Sequence, residues 1–300
     1  MIYTNPRPNR AYMEEFYSGT FKSDPGAALR RGEDFKQSDP RKFDKHVKRL
    51  RPFVEPLLAQ LGEPAGKRWL EVRCRDGVVA GVLATHGVEV HGVDLFHANL
   101  AAARERFGAD RFHESSIYDL LGSAPRELDA IGMLTIHVLS HAPSPSQLLK
   151  DCYERLRPGG WIFMAEKDVL EPRPGVMEFQ LAGNGLIAHF QHLTLNSVRE
   201  YVRAAGFEIE RAEYLDRWTS LRHLVVVARK PQVPTVVGRI HADDPQVSHD
   251  RIMALYRRHL VRAPVRMVQR RIGTERIKTL KKTARNARNR ALTWFKGKGA

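Results

Sequence analysis

The first residues whose types and spacing indicate a chemical role are Gly77 and Asp94, which lie 17 positions apart. Gly77 closes a short turn after an apolar run at residues 69–72, and Asp94 directly follows a second run at residues 88–93. A turn after a buried strand brings backbone N–H groups close to a ligand, and an acid at the end of the next strand accepts hydrogen bonds from ribose hydroxyls. The expected spacing between the two is about 20 residues. The pair therefore predicts a nucleoside site, with a turn or helix-capping aspartate as the alternative.

The turn between these positions carries further reactive side chains. Glu71 precedes it and either orients the turn and a ligand amine or pairs with a buried arginine. Arg73 and Arg75 stand where a turn that approaches a ligand closely usually has glycine, which tolerates positive φ. Three interpretations of these arginines are open. Their side chains point away from the ligand, they bind an anionic group of ligand or substrate, or they block the pocket. Cys74 lies between them, and two flanking cations predict a lowered pKa for its thiol.

Histidines supply candidate bases after a third apolar run at residues 128–134. An imidazole of His137 or His141 at this place would remove a proton from a hydroxyl or amine near neutral pH. The alternative for each is a packing or helix-start histidine. His189 and His192 are spaced like a metal-binding pair, but no third ligand is evident.

The elements that must position these side chains alternate between strand and helix periodicity, which predicts a parallel sheet with helices on both faces. Glu166 and Asp168 end one of the strands and are either substrate contacts or solvated loop acids. Residues 157–160 predict a turn before that strand, and Asn196 is the expected cap of the last helix. The predicted strands cover residues 69–72, 88–93, 128–134, 161–166, 207–214 and 223–230, and the predicted helices cover 42–61, 78–85, 145–156 and 195–206.

Two local motifs connect this pattern with a known family. They are HVLSH at residues 137–141 and LRPGG at residues 156–160. Together with the strand, turn and acid described above, they resemble the class I S-adenosylmethionine (SAM) dependent methyltransferases over roughly residues 40–230. The resemblance implies an α/β, doubly wound, mostly parallel seven-stranded sheet with helices on both faces. It also implies SAM as the cofactor and methyl transfer as the reaction.

The resemblance assigns roles to individual residues, with His137 and His141 near the reacting methyl group. Ser116 stands where the family has an acid that reaches the adenine. Ser140 stands where the family's form of the second motif, HVLEH, has glutamate. With two arginines in place of glycines, these departures make a non-catalytic binding or scaffold protein the alternative function. The implied SAM-binding residues are Glu71, Arg73, Arg75, Gly77, Asp94, Leu95, Ser116 and Ile117.

The opening segment YTNPRP at residues 3–8 resembles a segment that precedes the domain in many bacterial glycan-pathway methyltransferases. There it often follows a zinc ribbon, which the two cysteines of this chain cannot build. The resemblance implies a small-molecule acceptor or a glycan or glycolipid precursor.

The charge of the chain is concentrated at its C-terminal end. The formal net charge is +15, and residues 251–300 carry 16 Lys and Arg against one acid, so this segment accounts for all of it. An apolar stripe at helical spacing runs through Ile277, Leu280, Ala284, Ala287, Ala291 and Trp294. The pattern favours an interfacial helix on an anionic membrane surface. A disordered, solvated tail and a nucleic-acid-binding tail are the alternatives.

Composition divides the chain into a polar N-terminal arm (1–40), a methyltransferase-like domain (41–230), a linker (231–248) and the basic helical tail (249–300). Two cysteines provide no disulfide framework, and neither a secretory signal nor a membrane-spanning run is visible. We therefore expect a cytoplasmic protein, with the tail at the inner face of the membrane. A nucleic-acid methyltransferase is a second alternative, which the neutral body disfavours.

Overall fold

The structure is a computed structural model, and it describes residues 2–3, 9–18, 40–135, 137–168, 190–215 and 223–233, together with positions 250 and 254. The predicted tail helix, most of the predicted linker, the connection after residue 168 and His189 lie outside the described residues. The elements named below all belong to one structural unit, Met1–Ser248. Among the described residues, no helix has the length and apolar character needed to cross a membrane.

The strands are β1 (Ile2–Tyr3), β2 (Arg68–Val72), β3 (Glu89–Asp94), β4 (Phe112–Glu114), β5 (Leu128–Met133), β6 (Leu156–Glu166), β7 (Gln191–His192), β8 (Glu208–Leu215) and β9 (His223–Arg229). In the described part of the chain, seven of them form one sheet in the order β4-β3-β2-β5-β6-β9-β8. The first five of that order are parallel, and β9 is antiparallel to both β6 and β8. The predicted mostly parallel, seven-stranded sheet is confirmed.

Helices cover both faces of this sheet, as the alternating sequence pattern predicts. The helices are α1 (Arg10–Ser18), α2 (Pro40–Leu58), α3 (Val78–Leu83), α4 (His97–Phe107), α5 (Val138–His141), α6 (Pro145–Arg155) and α7 (Leu195–Ala204). Successive side chains of a strand point to opposite faces. On β2, Trp69 packs in the cluster with α2, α3 and α4, whereas Leu70 packs in the cluster with α6 and α7.

The topology places the ends of three strands around one crevice. The chain passes from β2 to β3 on one side and later returns to β5 on the other side of β2. In open α/β sheets, ligands bind outside the carboxyl ends of the strands at such a reversal of strand order. The turn after β2, the residue that ends β3 and the loop after β5 therefore meet at the position where a ligand is expected.

Two local predictions were wrong. Residues 157–160 belong to β6 and are not a separate turn. Leu128 pairs with Leu156 and Ala130 with Trp161, so the register shifts within residues 156–161, where β6 has extra residues but does not end. The cap of α7 is Thr194, whose side chain accepts a hydrogen bond from the N–H of Ser197 at 3.1 Å, and not Asn196.

The described part of the N-terminal arm packs on the domain. Met13 of α1 is fully buried among core side chains, and β1 pairs antiparallel with β7. Arg10 lies over the ring of Tyr118, with 4.8 Å between the guanidinium carbon and the ring centroid. This end of the arm therefore contributes to the core on the side of α6 and α7.

Candidate functional site

The turn after β2 keeps a glycine-like backbone although it lacks two glycines. Arg73 and Arg75 have φ angles of 59° and 55°, and Gly77 has 82°. A non-glycine residue in this region costs roughly 1–2 kcal/mol. The Cys74 N–H donates to the Val93 carbonyl at 3.0 Å, which ties the turn to β3. At Gly77 a Cβ atom would lie 2.7 Å from the ring of Phe107, so glycine is required there by packing as well.

Asp94 is the residue that organises this turn. Its Oδ2 accepts a hydrogen bond from the Arg75 N–H, and its Oδ1 accepts one from the Phe96 N–H, both at 3.0 Å. The carboxylate is completely buried. One side chain thus holds both the turn after β2 and the first residues after β3.

Arg73 and Arg75 have different surroundings despite their shared backbone conformation. Arg73 is 2% exposed, and its Nε lies 4.0 Å from Oδ2 of Asp94. Its guanidinium carbon is 5.6 Å from the centroid of the Phe96 ring. Arg75 is half-buried, and its charge adds to the effect of burial in lowering the pKa of His46 on α2. Arg73 therefore lies beside Asp94 at the predicted ligand position, whereas the charge of Arg75 acts on His46 of α2.

The prediction for Cys74 was wrong. Burial raises the pKa of its thiol well above the ordinary value, and the nearby carboxylates of Asp94 and Glu71 act in the same direction. The two arginines that flank it in sequence do not reverse this effect. A buried thiol of this kind is inert as a nucleophile.

Two buried glutamates hold the loop after β5 from both sides. Glu71 of β2 accepts hydrogen bonds from the Leu134 N–H at 2.8 Å and from the indole N–H of Trp69 at 3.1 Å. Its carboxylate crosses β5 above Gly132, where any Cβ atom would collide with it. Glu71 therefore supports the loop from within the sheet.

Glu166 holds the same loop from the strand on the other side. At the end of β6, it accepts from the Leu139 N–H and from the Ser140 hydroxyl, both at 2.6 Å. Neither interpretation offered by the sequence, substrate contact or solvated acid, applies to it. Asp168 is likewise buried, and accepts from the Leu195 N–H at 2.9 Å and from the Tyr214 hydroxyl at 2.5 Å. Ser140, which stands in place of the family's glutamate, is thus the hydrogen-bond partner of the buried Glu166 carboxylate.

The histidines of the loop differ in access. His141 is 4% exposed, whereas His137 is only partly buried. The Nε2 of His137 lies 3.3 Å from the Nδ1 of His223, the first residue of β9. The ring centroids are 5.2 Å apart and the rings are stacked within 10° of parallel. His223 was missed because its neighbour is 86 residues away.

Metal binding finds no support in the described residues, which contain no group of three or more His, Cys, Asp or Glu suited to a metal ion. His192 is buried, and burial lowers the pKa of its imidazole. His189 lies outside the described residues, so the predicted pair is only half described.

The remaining predicted cofactor contacts lie just beyond β3 and β4. Leu95 is half-buried against the core, and the Ser115 N–H donates to the Asp94 carbonyl at 3.0 Å. Ser116 accepts a hydrogen bond from the Asp119 N–H at 2.9 Å, which makes it a turn residue. Ile117 is 2% exposed and lines a cavity of about 130 Å³ beside α6.

The residues around Asp94 fit a nucleoside in their hydrogen-bonding capacity. Each carboxylate oxygen has one described backbone donor, which leaves lone pairs for ribose hydroxyls. Leu95 packs, partly buried, against the core cluster that contains Ile117. Access is restricted, because Asp94 is fully buried and the guanidinium of Arg73 lies beside it.

The two glutamates predict an unusual dependence of stability on pH. Burial raises the pKa of both Glu71 and Glu166 from 4.5 to about 7. Between pH 4.5 and about 7, the folded state binds more protons than the unfolded state. The stability that each protonated carboxyl contributes is therefore fully present below the unfolded pKa and is lost as pH rises through about 7. The free energy of unfolding should therefore fall by about 3 kcal/mol for each carboxylate between about pH 5 and about pH 8.

Glu166→Gln isolates this effect, because Ser140 can accept a hydrogen bond from the new amide. Between about pH 5 and about pH 8, the free energy of unfolding measured in urea should fall by about 3 kcal/mol less in this variant than in the unmodified protein. Glu210→Gln, at an exposed position of β8, should behave like the unmodified protein. An unchanged pH dependence in Glu166→Gln would contradict the role assigned to this carboxylate.

Comparison with known proteins identifies the family. Residues 43–212 match the model of the family described as "Methyltransferase domain". A ubiquinone biosynthesis O-methyltransferase from Pseudomonas savastanoi pv. phaseolicola is 26% identical over 143 residues, which cover 46% of this chain and 60% of that protein. One from Dechloromonas aromatica is 30% identical over 131 residues, which cover 42% of this chain and 56% of that protein. The chain thus spans less than two thirds of these relatives.

Solved structures support the fold. The 1,6-didemethyltoxoflavin-N1-methyltransferase from Burkholderia thailandensis, solved with 1,6-didemethyltoxoflavin and S-adenosylhomocysteine, aligns with a TM-score of 0.50 at 24% identity, covering 69% of this chain and 88% of that one. With a family match over more than half of its length and the seven-stranded sheet described above, this chain belongs to the methyltransferase-domain family and has the class I fold, whose cofactor is SAM.

Proposed function

We propose that this protein transfers the methyl group of SAM to a hydroxyl oxygen of a small molecule. The observation that carries the proposal is the meeting of three elements at the reversal of strand order. These are the glycine-like turn after β2, Asp94 at the end of β3, and the histidine-containing loop after β5. The O-methyltransferases among its relatives favour oxygen as the acceptor atom.

The residues that would hold SAM follow from this arrangement. Asp94 would accept hydrogen bonds from the ribose, and Leu95 and Ile117 would pack near the adenine. When bound, SAM would supply a methyl group on a sulfonium: the acceptor oxygen would bond to the methyl carbon as the carbon–sulfur bond breaks, and S-adenosylhomocysteine would leave. The task of the protein is then to align the acceptor and exclude water, which contributes much of the rate enhancement in reactions of this kind.

His137 is the best-placed candidate for a base. It lies in the loop after β5, it is only partly buried, and His223 fixes one edge of its ring. An imidazole in this position would take the proton of the acceptor hydroxyl. His141 is a weaker candidate, since it is almost completely buried within the loop.

The C-terminal tail suggests where the protein works. The 16 basic residues between positions 251 and 300 are suited to the anionic face of a membrane, and we propose a cytoplasmic protein that is held there peripherally. A glycan or glycolipid precursor at that surface is an alternative acceptor, supported by the resemblance of residues 3–8.

Cofactor binding is tested by Asp94→Asn. Loss of hydrogen bonds to a charged acceptor costs about 1.5–3 kcal/mol, so calorimetric titration should show SAM affinity weakened by roughly tenfold or more. Asp129→Asn is a matched control, because Asp129 is also buried and accepts from a backbone N–H, at 2.8 Å, but at the start of β5. Equal SAM affinity in Asp94→Asn and the unmodified protein would exclude Asp94 as the ribose acceptor.

The base is tested with His137→Gln in a methyl-transfer assay with labelled SAM and hydroxyl acceptors. General base catalysis contributes typically 10²–10⁴-fold, so kcat should fall by about 100-fold while SAM affinity stays unchanged. His91→Gln, where the native imidazole pairs with Glu89 on β3, serves as the control. A His137→Gln variant with unchanged kcat would remove His137 from the proposed mechanism.

Membrane attachment is tested by replacing the six basic residues Lys278, Lys281, Lys282, Arg285, Arg288 and Arg290 with glutamine in the full-length chain. Each contributes roughly 1 kcal/mol near an anionic surface, and salt screens the attraction. The unmodified protein should sediment with anionic liposomes at low salt and stay free at high salt or with neutral liposomes, and the variant should sediment markedly less with anionic liposomes at low salt. Equal sedimentation of both proteins, or tighter binding of the unmodified protein to RNA, would refute the proposal.

A further inference from the structure

We propose that Arg73 is an internal competitor of the cofactor, and that its side chain sets the affinity for SAM. In this proposal the guanidinium covers the carboxylate of Asp94, and a ribose reaches that carboxylate only when the Arg73 side chain has moved away. The inference rests on the proposed function, because it concerns the same acceptor.

The first support is the burial of both partners. Asp94 has no exposed surface, and Arg73 is 2% exposed. Nε of Arg73 is 4.0 Å from Oδ2 of Asp94, the oxygen that also accepts from the Arg75 N–H. A second molecule cannot approach this carboxylate without displacing a neighbouring side chain.

The second support is that the backbone of Arg73 is held by contacts that do not involve its side chain. The Thr135 hydroxyl donates to the Arg73 carbonyl at 2.7 Å, and the next N–H in the chain donates to β3 at 3.0 Å. The backbone of Arg73 is thus fixed between β3 and the loop after β5. The turn keeps its glycine-like form whether the guanidinium is inside or outside the pocket.

The third support is energetic. Burying a guanidinium carries a desolvation cost that its attraction to a carboxylate only partly offsets. Rotation of Arg73 into water would recover that solvation, and ribose hydroxyls would replace it at Asp94. The contact with the Phe96 ring, 5.6 Å from the guanidinium carbon, would be lost in this movement and opposes it in part. Arg73 is therefore a displaceable occupant, and its removal should favour the cofactor.

Arg75 provides a matched control within the same turn. Its φ angle of 55° is close to the 59° of Arg73, so replacement by glycine relieves the same kind of backbone strain. Its side chain is half-buried, and its charge acts on His46 of α2. A gain in affinity caused only by a relaxed backbone would appear in both variants.

The experiment is calorimetric titration of SAM and S-adenosylhomocysteine into the unmodified protein, Arg73→Gly, Arg73→Met and Arg75→Gly, with thermal unfolding of each to verify that it is folded. Arg73→Gly removes charge and volume, and Arg73→Met removes the charge while keeping most of the length. We expect Arg73→Gly to bind both ligands roughly tenfold more tightly, Arg73→Met to gain part of this, and Arg75→Gly to stay within about twofold of the unmodified protein.

The outcomes separate this inference from the proposed function. If the unmodified protein binds SAM and both Arg73 variants bind it equally or more weakly, Arg73 is not a competitor, and the proposed function stands. If Arg75→Gly gains as much as Arg73→Gly, backbone strain and not the buried guanidinium limits binding. If no folded variant binds either ligand, both the inference and SAM-dependent function are overturned, and a non-catalytic role is supported.

Discussion

The buried carboxylate of Asp94 is the interaction on which the candidate site depends. It accepts from backbone N–H groups of the turn after β2 and of the segment after β3, and a guanidinium lies beside it. Without this acceptor, the N–H of Arg75 would lose its described partner, and the strained φ angles of the turn would lose a constraint. The same oxygens are those that a ribose would need. In the proposed function, Asp94 would therefore hold the turn and the ribose with the same two oxygens.

The opposite wall of the crevice is built on a similar principle. Glu71 and Glu166 extend from the strands on either side of β5 and accept hydrogen bonds from the loop that carries His137. Buried carboxylates are costly unless their hydrogen bonds are made, and both of these groups have an elevated pKa. The site is thus held by buried acids at some expense of stability, which is a common feature of functional sites.

Much of the fold was predictable from the sequence, because it depends on local pattern. The apolar runs that become β2, β3, β5 and β6 are visible as strand-length segments, and the helices between them have helical spacing. The motif at residues 156–160 identified the family, but its conformation depends on register with β5, so the predicted turn proved to be a part of β6 in which the register shifts. The sequence also predicted Asn196 as the cap of the last helix, whereas the structure has Thr194, a difference of two residues at a helix boundary.

The details of the site were less predictable, because they depend on contacts between distant residues. The position of Asp94 follows from the spacing of its strand and the turn, but the direction of the Arg73 side chain does not. The role of Glu166 depends on Ser140, 26 residues away, and the pKa of Cys74 depends on burial that neighbouring charges in sequence do not reveal. A crystal structure with bound S-adenosylhomocysteine tests the central claim most directly. It should show ribose hydroxyls within hydrogen-bond distance of the Asp94 carboxylate and the guanidinium of Arg73 displaced from it. A bound ligand whose ribose is held elsewhere, with Arg73 still beside Asp94, would contradict this account.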